Sequence, residues 1–439
     1  MIGRAVMSFI GMIAHTVNVP IPVYVAVLLI LSLAISTLTV LVLKKILISY
    51  VEKCSKKMEF IALIISFITI FNFMYIENLY FVECFVMSIS LLLYIIAAKE
   101  IAYKKNIIKT ILYTIIGMLC YQGTIGVLFT MTFLFSILEN KKINKEVIKN
   151  FIICVIAAAI SILLNLILIK IIGQIFNLQQ VRIIGNGIFK NLFYIISEID
   201  TILIECCDMF PKYWLLLFVL GITVVLYIFL LKKNNKYNIA DFLVLMLIAI
   251  GSGFATYLLS LTAFYTGRLR FTIGALVGII YIYIYCRTDI FYKKTIYKKL
   301  ILLILITYLV INIFNYESLI YQHKLVNKLE KQEAIYINDK IETYEENTNQ
   351  TIEKIALVYI TNNYNYTYYK ETSNKCVLTY SALRSDWSAT GAIYCYTGKK
   401  LSSHKMSEQQ YINILKESNL QDDDVVFIGD TMYLKIFMY

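Results

Sequence analysis

The feature that most constrains this chain is a series of apolar blocks, most of them about seventeen residues or longer and free of charge. They fall at 20–43, 60–76, 79–98, 110–138, 151–173, 213–231, 241–263, 271–286 and 300–316. A helix needs about 20 apolar residues to cross the hydrocarbon core of a bilayer. The apolar positions do not alternate every second residue, which excludes an outer-membrane barrel. Composition agrees: 59% of side chains are hydrophobic and 16% charged, whereas soluble domains carry about 25% charged residues. Three prolines and 17 glycines are too few for a collagen-like, linker-like or disordered chain. The expected fold is an all-α polytopic membrane bundle.

Charge is distributed unevenly. Residues 317–439 hold 13 Lys and Arg against 16 Asp and Glu, while 1–316 hold 28 against 13. The net +12 is therefore a property of the apolar part and gives no reason to expect a nucleic-acid partner, which would require basic clusters on a soluble face. The block 110–138 is flanked by Lys99, Lys104, Lys105 and Lys109 before it and by Lys141, Lys142, Lys145 and Lys149 after it. Lys and Arg are retained on the cytoplasmic side, so this block is expected to enter and return as two short helices turning at Tyr121-Gln122-Gly123-Thr124-Ile125-Gly126. A single long tilted helix is the alternative. With the hairpin, loops 44–58, 99–109, 139–150, 232–241 and 287–299 share one side and hold 21 Lys and Arg, against six on the other. About ten crossings follow, with the basic side cytoplasmic and residues 317–439 extracytoplasmic.

Three parts are expected: an interfacial amphipathic segment at 1–19, a multi-span domain at 20–316 and a small extracytoplasmic α/β domain at 317–439. In the last, 321–353 has helical spacing, Lys354–Ile360 reads as a strand, and Ser407–Glu417 as a short amphipathic helix. Val425–Ile428 and Tyr433–Phe437 flank a hairpin signal at Gly429-Asp430-Thr431. Cys376 and Cys395 lie in this domain; pairing and non-pairing are both open. The nine cysteines show no C-x-x-C spacing and the three histidines are far apart, so no metal site or cofactor is read.

Several stretches are informative together: Gly3-Arg4, Asn78-Leu79-Tyr80 between Glu77 and Glu83, Leu119-Cys120-Tyr121-Gln122 and Ala334-Ile335-Tyr336-Ile337-Asn338-Asp339-Lys340-Ile341. Ser385-Asp386-Trp387-Ser388-Ala389-Thr390-Gly391 and Tyr433-Leu434-Lys435 complete the set. In their order along the chain they resemble the serotype-converting O-antigen glucosyltransferases of bacteria and phage. The resemblance implies a GT-C-like membrane glycosyltransferase that takes a hexose, glucose foremost, from a polyprenyl-phosphate-linked donor. Its acceptor would be an extracytoplasmic glycan or its lipid-linked precursor, with membrane lipid as the third partner. No nucleotide sugar is used at such a site. In that family an upstream helix and an acidic loop precede the Gly-Arg motif; here the sequence opens at the motif, and a missing preceding helix is the expectation.

Displacing a polyprenyl phosphate from an anomeric carbon requires a carboxylate to take the acceptor's proton and cationic donors to hold the leaving phosphate. Glu77 and Glu83, read as lying across a two-residue turn at the ends of adjoining spans, are the catalytic candidates; the alternative is a pair of interfacial acids marking helix ends. Arg268 and Arg270, against the positive-inside trend, are the phosphate candidates, with snorkelling to headgroups as the alternative. Arg4 is a second phosphate candidate through the family motif, and Arg182 a less defined one. Gln122 is a candidate for sugar hydroxyls, or else it satisfies backbone freed at the turn. Asp386 and Trp387 suit sugar recognition, or else Trp387 belongs to the domain core. Lys435 rests on the family pattern alone. The runs Tyr281–Tyr285 and Tyr364–Tyr369 read as interface and strand surface, and Asp422-Asp423-Asp424 as a solvated turn. The competing function is a non-catalytic protein of surface-polysaccharide assembly: a lipid-linked sugar flippase, a scaffold or a degenerate transferase.

Overall fold

The computed structural model describes residues 5–51, 54–175, 188–197, 219, 221–225, 228, 239–256, 267–287, 291, 296–360, 381–384 and 386–437. The chain divides into two compact units, Met1–Tyr316 and Glu317–Tyr439, where the composition changes. Among the described residues six helices are long and apolar enough to cross a membrane. The protein is a helical membrane protein. Of the expected spans, 213–231 lies largely outside the described residues, as does the end of 241–263.

The first unit is built from α1 (Ala5–Thr16), α2 (Ile21–Ser49), α3 (Lys56–Ile70), α4 (Tyr75–Tyr80), α5 (Cys84–Lys99), α6 (Ile107–Cys120) and α7 (Ile125–Asn140). There follow α8 (Lys145–Ile175), α9 (Ile188–Ser197), α10 (Ile239–Ser252), α11 (Phe271–Gly274) and α12 (Leu276–Arg287). The last, α13 (Ile296–Thr348), runs on into the second unit. Local chemistry sets several boundaries. Ser55 caps α3 by accepting from the Met58 N–H at 3.3 Å, and Asn106 caps α6 by accepting from the Lys109 N–H at 3.0 Å. Lys105 and Lys141, at φ 53° and 63°, break the chain at the two ends of the α6–α7 pair.

That pair is a hairpin. Its turn, Gln122–Thr124, is a single 3₁₀ turn. Tyr94 of α5 donates to the Tyr121 carbonyl at 3.1 Å, and Ser90 bonds Thr124 at 2.9 Å. At the other end Lys105 pairs with Glu146 at 3.5 Å, and Arg287 donates to the Lys141 carbonyl. Tyr50 stacks near Phe135 with ring centroids 6.4 Å apart. The start of α6 and the end of α7 therefore lie at the same end of the unit, the end where the described residues of loops 44–58, 99–109 and 139–150 meet Arg287. At 1.5 Å per residue the 14 residues of α6 rise about 21 Å, short of the roughly 30 Å hydrocarbon core. The turn is covered by protein, with Gly123 and Thr124 buried, as irregular backbone within a hydrocarbon core would require.

The expected two-residue turn between 60–76 and 79–98 is not observed. Helix α3 stops at Ile70 and α5 starts at Cys84, with α4 standing between them as a separate short helix. Asn72 causes the break: its side chain donates to the Thr69 carbonyl at 3.0 Å and accepts from the Met74 N–H at 3.1 Å. It thus offers the backbone an alternative to the helix ladder. Tyr75 then fixes α4 to α2 and α5 through Ser36 at 2.5 Å and Ser88 at 2.7 Å, and Ser88 bonds Ser32 at 2.6 Å.

Helices α11 and α12 lie against α3 through a close backbone seam. A Cβ at Gly278 would sit 2.1 Å from Thr69 Oγ1 and 2.8 Å from its Cα, and one at Gly274 would sit 2.2 Å from Asn72 Oδ1. Small residues four apart permit this approach. It holds the chain that enters α11 against the 71–80 segment. The Tyr281–Tyr285 run is not surface: Tyr281, Tyr283 and Tyr285 are fully buried in α12. Tyr281 donates to Ile301 O at 2.9 Å and Tyr285 to Met58 O at 3.1 Å. Tyr281 and Tyr285 thus bury aromatic bodies with satisfied hydroxyls, which are good core material.

The second unit is a four-stranded sheet of order β2-β1-β4-β3 with helices beside it. Strand β1 (Lys354–Ile360) pairs in parallel with β2 (Ser402–Ser407) and with β4 (Thr431–Phe437), whereas β3 (Val425–Ile428) and β4 form an antiparallel hairpin. Gly429, at φ 60°, makes its turn. Helix α14 (Asp386–Thr397) precedes β2, and α15 (Glu408–Ser418) follows it with a Ser407/Gln410 capping box. The core joins Ile337 and Ile341 of α13 to Ile355, Leu357, Ile393 and Met432. Asp422 is exposed and pairs with Lys435. Cys376 and Tyr364–Tyr369 lie outside the described residues; Cys395 is exposed.

Candidate functional site

Three segments far apart in sequence meet at the end of the first unit opposite the basic loops: α4, the Gln122–Thr124 turn and the 3₁₀ turn Gly267–Arg270. The last packs against both of the others. Tyr75 also sets its ring edge-on to Phe271, with centroids 5.8 Å apart, joining α4 to the start of α11. From the other side, Asn312 donates to the Phe71 carbonyl at 2.5 Å, and Tyr316 donates to Asn72 O at 2.8 Å. The short helix carrying Glu77 is thus fastened on several sides.

At the centre, Arg268 Nη1 donates to Glu77 Oε1 at 2.6 Å, and the Arg268 backbone N–H donates to Glu77 Oε2 at 3.0 Å. The side chains are 13% and 1% exposed, so this is a buried ion pair. Such a pair is structurally costly unless its geometry is good and its remaining groups are bonded. The Arg268 guanidinium also lies 3.9 Å from the centroid of the Phe81 ring, a favourable cation–π arrangement. Its Nε is buried without a partner. One edge of the guanidinium is therefore held by Glu77, and the other retains donor capacity. Glu83, at the start of α5 and half-buried, and Tyr121 lie within electrostatic reach of Arg268. Arg270, 1% exposed, completes the turn.

The structure thus brings together Glu77, Glu83, Gln122, Arg268 and Arg270. Glu77, in the first turn of α4, is the buried counter-ion of Arg268. Lys435 belongs to the second unit, where it pairs with Asp422 at 2.7 Å and lies 5.8 Å from the Tyr411 ring centroid. Asp386 and Trp387 open α14 in the same unit. Arg4 and Arg182 lie outside the described residues.

Sequence reasoning missed two amides. Asn78 is fully buried, and neither its Nδ2 nor its Oδ1 has a partner. Asn165, 5% exposed on α8, donates to Gln122 Oε1 at 3.2 Å, and its own Oδ1 is unpartnered. A lone amide in the apolar run 160–169 was the available signal for Asn165. No group of three or more His, Cys, Asp or Glu fit to hold a metal occurs among the described residues. Comparison with protein-family models, curated proteins and solved structures finds no match to this chain.

Proposed function

We propose that the chain is an integral-membrane glycosyltransferase that moves a hexose, glucose foremost, from a polyprenyl-phosphate donor to an extracytoplasmic glycan or its lipid-linked precursor. The observation that carries this reading is the buried Arg268, fixed through one edge by Glu77 and keeping an unpartnered Nε on the other. A planar fork held in this way suits two oxygens of a phosphate, and an apolar bundle suits its polyprenyl tail. The resemblance of the sequence to the O-antigen glucosyltransferases supplies the donor class. In the proposed topology the basic loops are cytoplasmic, so the recessed site opens to the outer leaflet, and about ten crossings form a GT-C-like bundle.

In this reaction the acceptor O–H gives its proton to Glu83, and its oxygen bonds the anomeric carbon. The bond from that carbon to the phosphate oxygen breaks with its electron pair, and the polyprenyl phosphate leaves against Arg268 and Arg270. Glu77, whose two oxygens are engaged by Arg268, orients the guanidinium. The test uses membranes from cells making the wild type, Arg268→Ala or Glu83→Gln, supplied with polyprenyl phosphate carrying labelled glucose, galactose or mannose. Label should pass to a non-lipid glycan only with the wild type. No transfer by the wild type from any of the three donors would overturn the proposal.

A further inference from the structure

Gln122 stands in the hairpin turn, which packs on the Gly267–Arg270 turn. A glutamine amide can present either a donor or an acceptor, and nothing in the turn itself chooses. In the structure Asn165 Nδ2 donates to Gln122 Oε1 at 3.2 Å across 43 positions of sequence, so the oxygen of Gln122 is occupied and its NH₂ remains to donate elsewhere. Gln122 is half-buried. Asn165 is 5% exposed and keeps a buried Oδ1 without a partner. A pair serving only to join two helices would be expected to satisfy both amides; this one is polarised, with one end fixed and the other presented.

We propose that Asn165 is a positioning residue for sugar recognition: it locks the Gln122 amide so that its N–H groups donate to a hydroxyl of the hexose whose phosphate Arg268 holds. This rests on the donor class proposed above and adds the group that reads the sugar. Asn165 itself touches no substrate.

The test compares the binding of two probes to the full chain in lipid nanodiscs: bare polyprenyl phosphate, and polyprenyl phosphate carrying glucose, galactose or mannose. The wild type should prefer at least one sugar-bearing lipid over the bare one. Asn165→Val should lose about three- to tenfold of that preference, the value of one hydrogen bond, with bare-lipid binding unchanged. Asn165→Asp keeps the shape but replaces the donor with an acceptor, which would draw the Gln122 NH₂ toward it, and should lose the preference as well. Gln122→Glu keeps the bond from Asn165 but replaces the presented donor with an acceptor, and should also lose it; this variant decides the matter if Asn165→Val does not fold. A preference retained in Asn165→Val or in Gln122→Glu would overturn the role of Asn165, as would a wild type that binds both lipids equally. A wild type that binds neither lipid would instead overturn the donor class, and the inference with it.

Discussion

Glu77 and Arg268 offer the sharpest perturbation. Each is buried, and the pair is joined by one contact of 2.6 Å and a second, through the backbone, of 3.0 Å. Glu77→Gln leaves a guanidinium buried over Phe81 without its counter-charge; Arg268→Gln leaves a carboxylate buried with only backbone N–H donors at 267 and 268. Breaking a buried pair on one side costs about 3–5 kcal/mol. Removing both charges leaves two neutral amides and no buried uncompensated charge, and the cost should fall to about 1–2 kcal/mol. The double-mutant cycle should therefore show a coupling of several kcal/mol, well beyond the roughly 0.5 kcal/mol within which independent sites add. The assay is reversible unfolding of the purified protein in mixed micelles with a rising fraction of denaturing detergent, for the wild type, both single variants and the double variant. Additive effects, or single variants as stable as the wild type, would refute the buried ion pair.

Three further outcomes follow from the geometry. Gly278→Ala places a Cβ 2.1 Å from Thr69 Oγ1 and 2.8 Å from its Cα; it should destabilise the protein by about 1–3 kcal/mol in the same unfolding assay. Tyr75→Phe removes the bonds to Ser36 and Ser88, whose hydroxyls keep only their bonds within and between α2 and α5. It should cost about 1–2 kcal/mol and raise proteolysis within 71–83, read by peptide mapping. In the second unit, burial pushes Glu333 up to about 7, and Glu330 one turn away adds repulsion. A carboxyl raised on folding stabilises fully below its unfolded pKa and loses that contribution as pH rises through the folded value. Resistance of the 317–439 unit to proteolysis in the full chain should thus fall between about pH 5 and 8, and Glu333→Gln should flatten the profile.

Much of the fold was legible because its causes are local. Lysines on both flanks of 110–138 gave the hairpin, since a chain with both ends retained on one side must return. Ser407 with Gln410, and the turn at Gly429, gave the last helix and hairpin of the second unit. The break at Asn72 was missed because Phe71 and Phe73–Ile76 around it are apolar and the block reads as one span; the lone amide was the signal, but its bonds to Thr69 and Met74 are not carried by spacing. Strand β2, Ser402–Ser407, is polar and gains its place from parallel pairing with β1, so no alternation marked it. Glu77, Gln122, Arg268 and Arg270 were identifiable as polar groups in apolar surroundings. That Glu77 serves Arg268 was not, because their contact spans 191 positions and depends on the Gly274 and Gly278 seam.

The most direct test of the central claim, that this buried charge cluster holds the phosphate of a polyprenyl lipid, is photo-crosslinking. A polyprenyl phosphate with a photoreactive group beside its phosphate would be added to the full chain in nanodiscs and the labelled peptides mapped by mass spectrometry. Label is expected on 75–83, 121–126 and 267–274, competed by unmodified polyprenyl phosphate and abolished in Arg268→Ala. Label spread over the lipid-facing helices α2 and α8, equal in the wild type and Arg268→Ala, would contradict the claim.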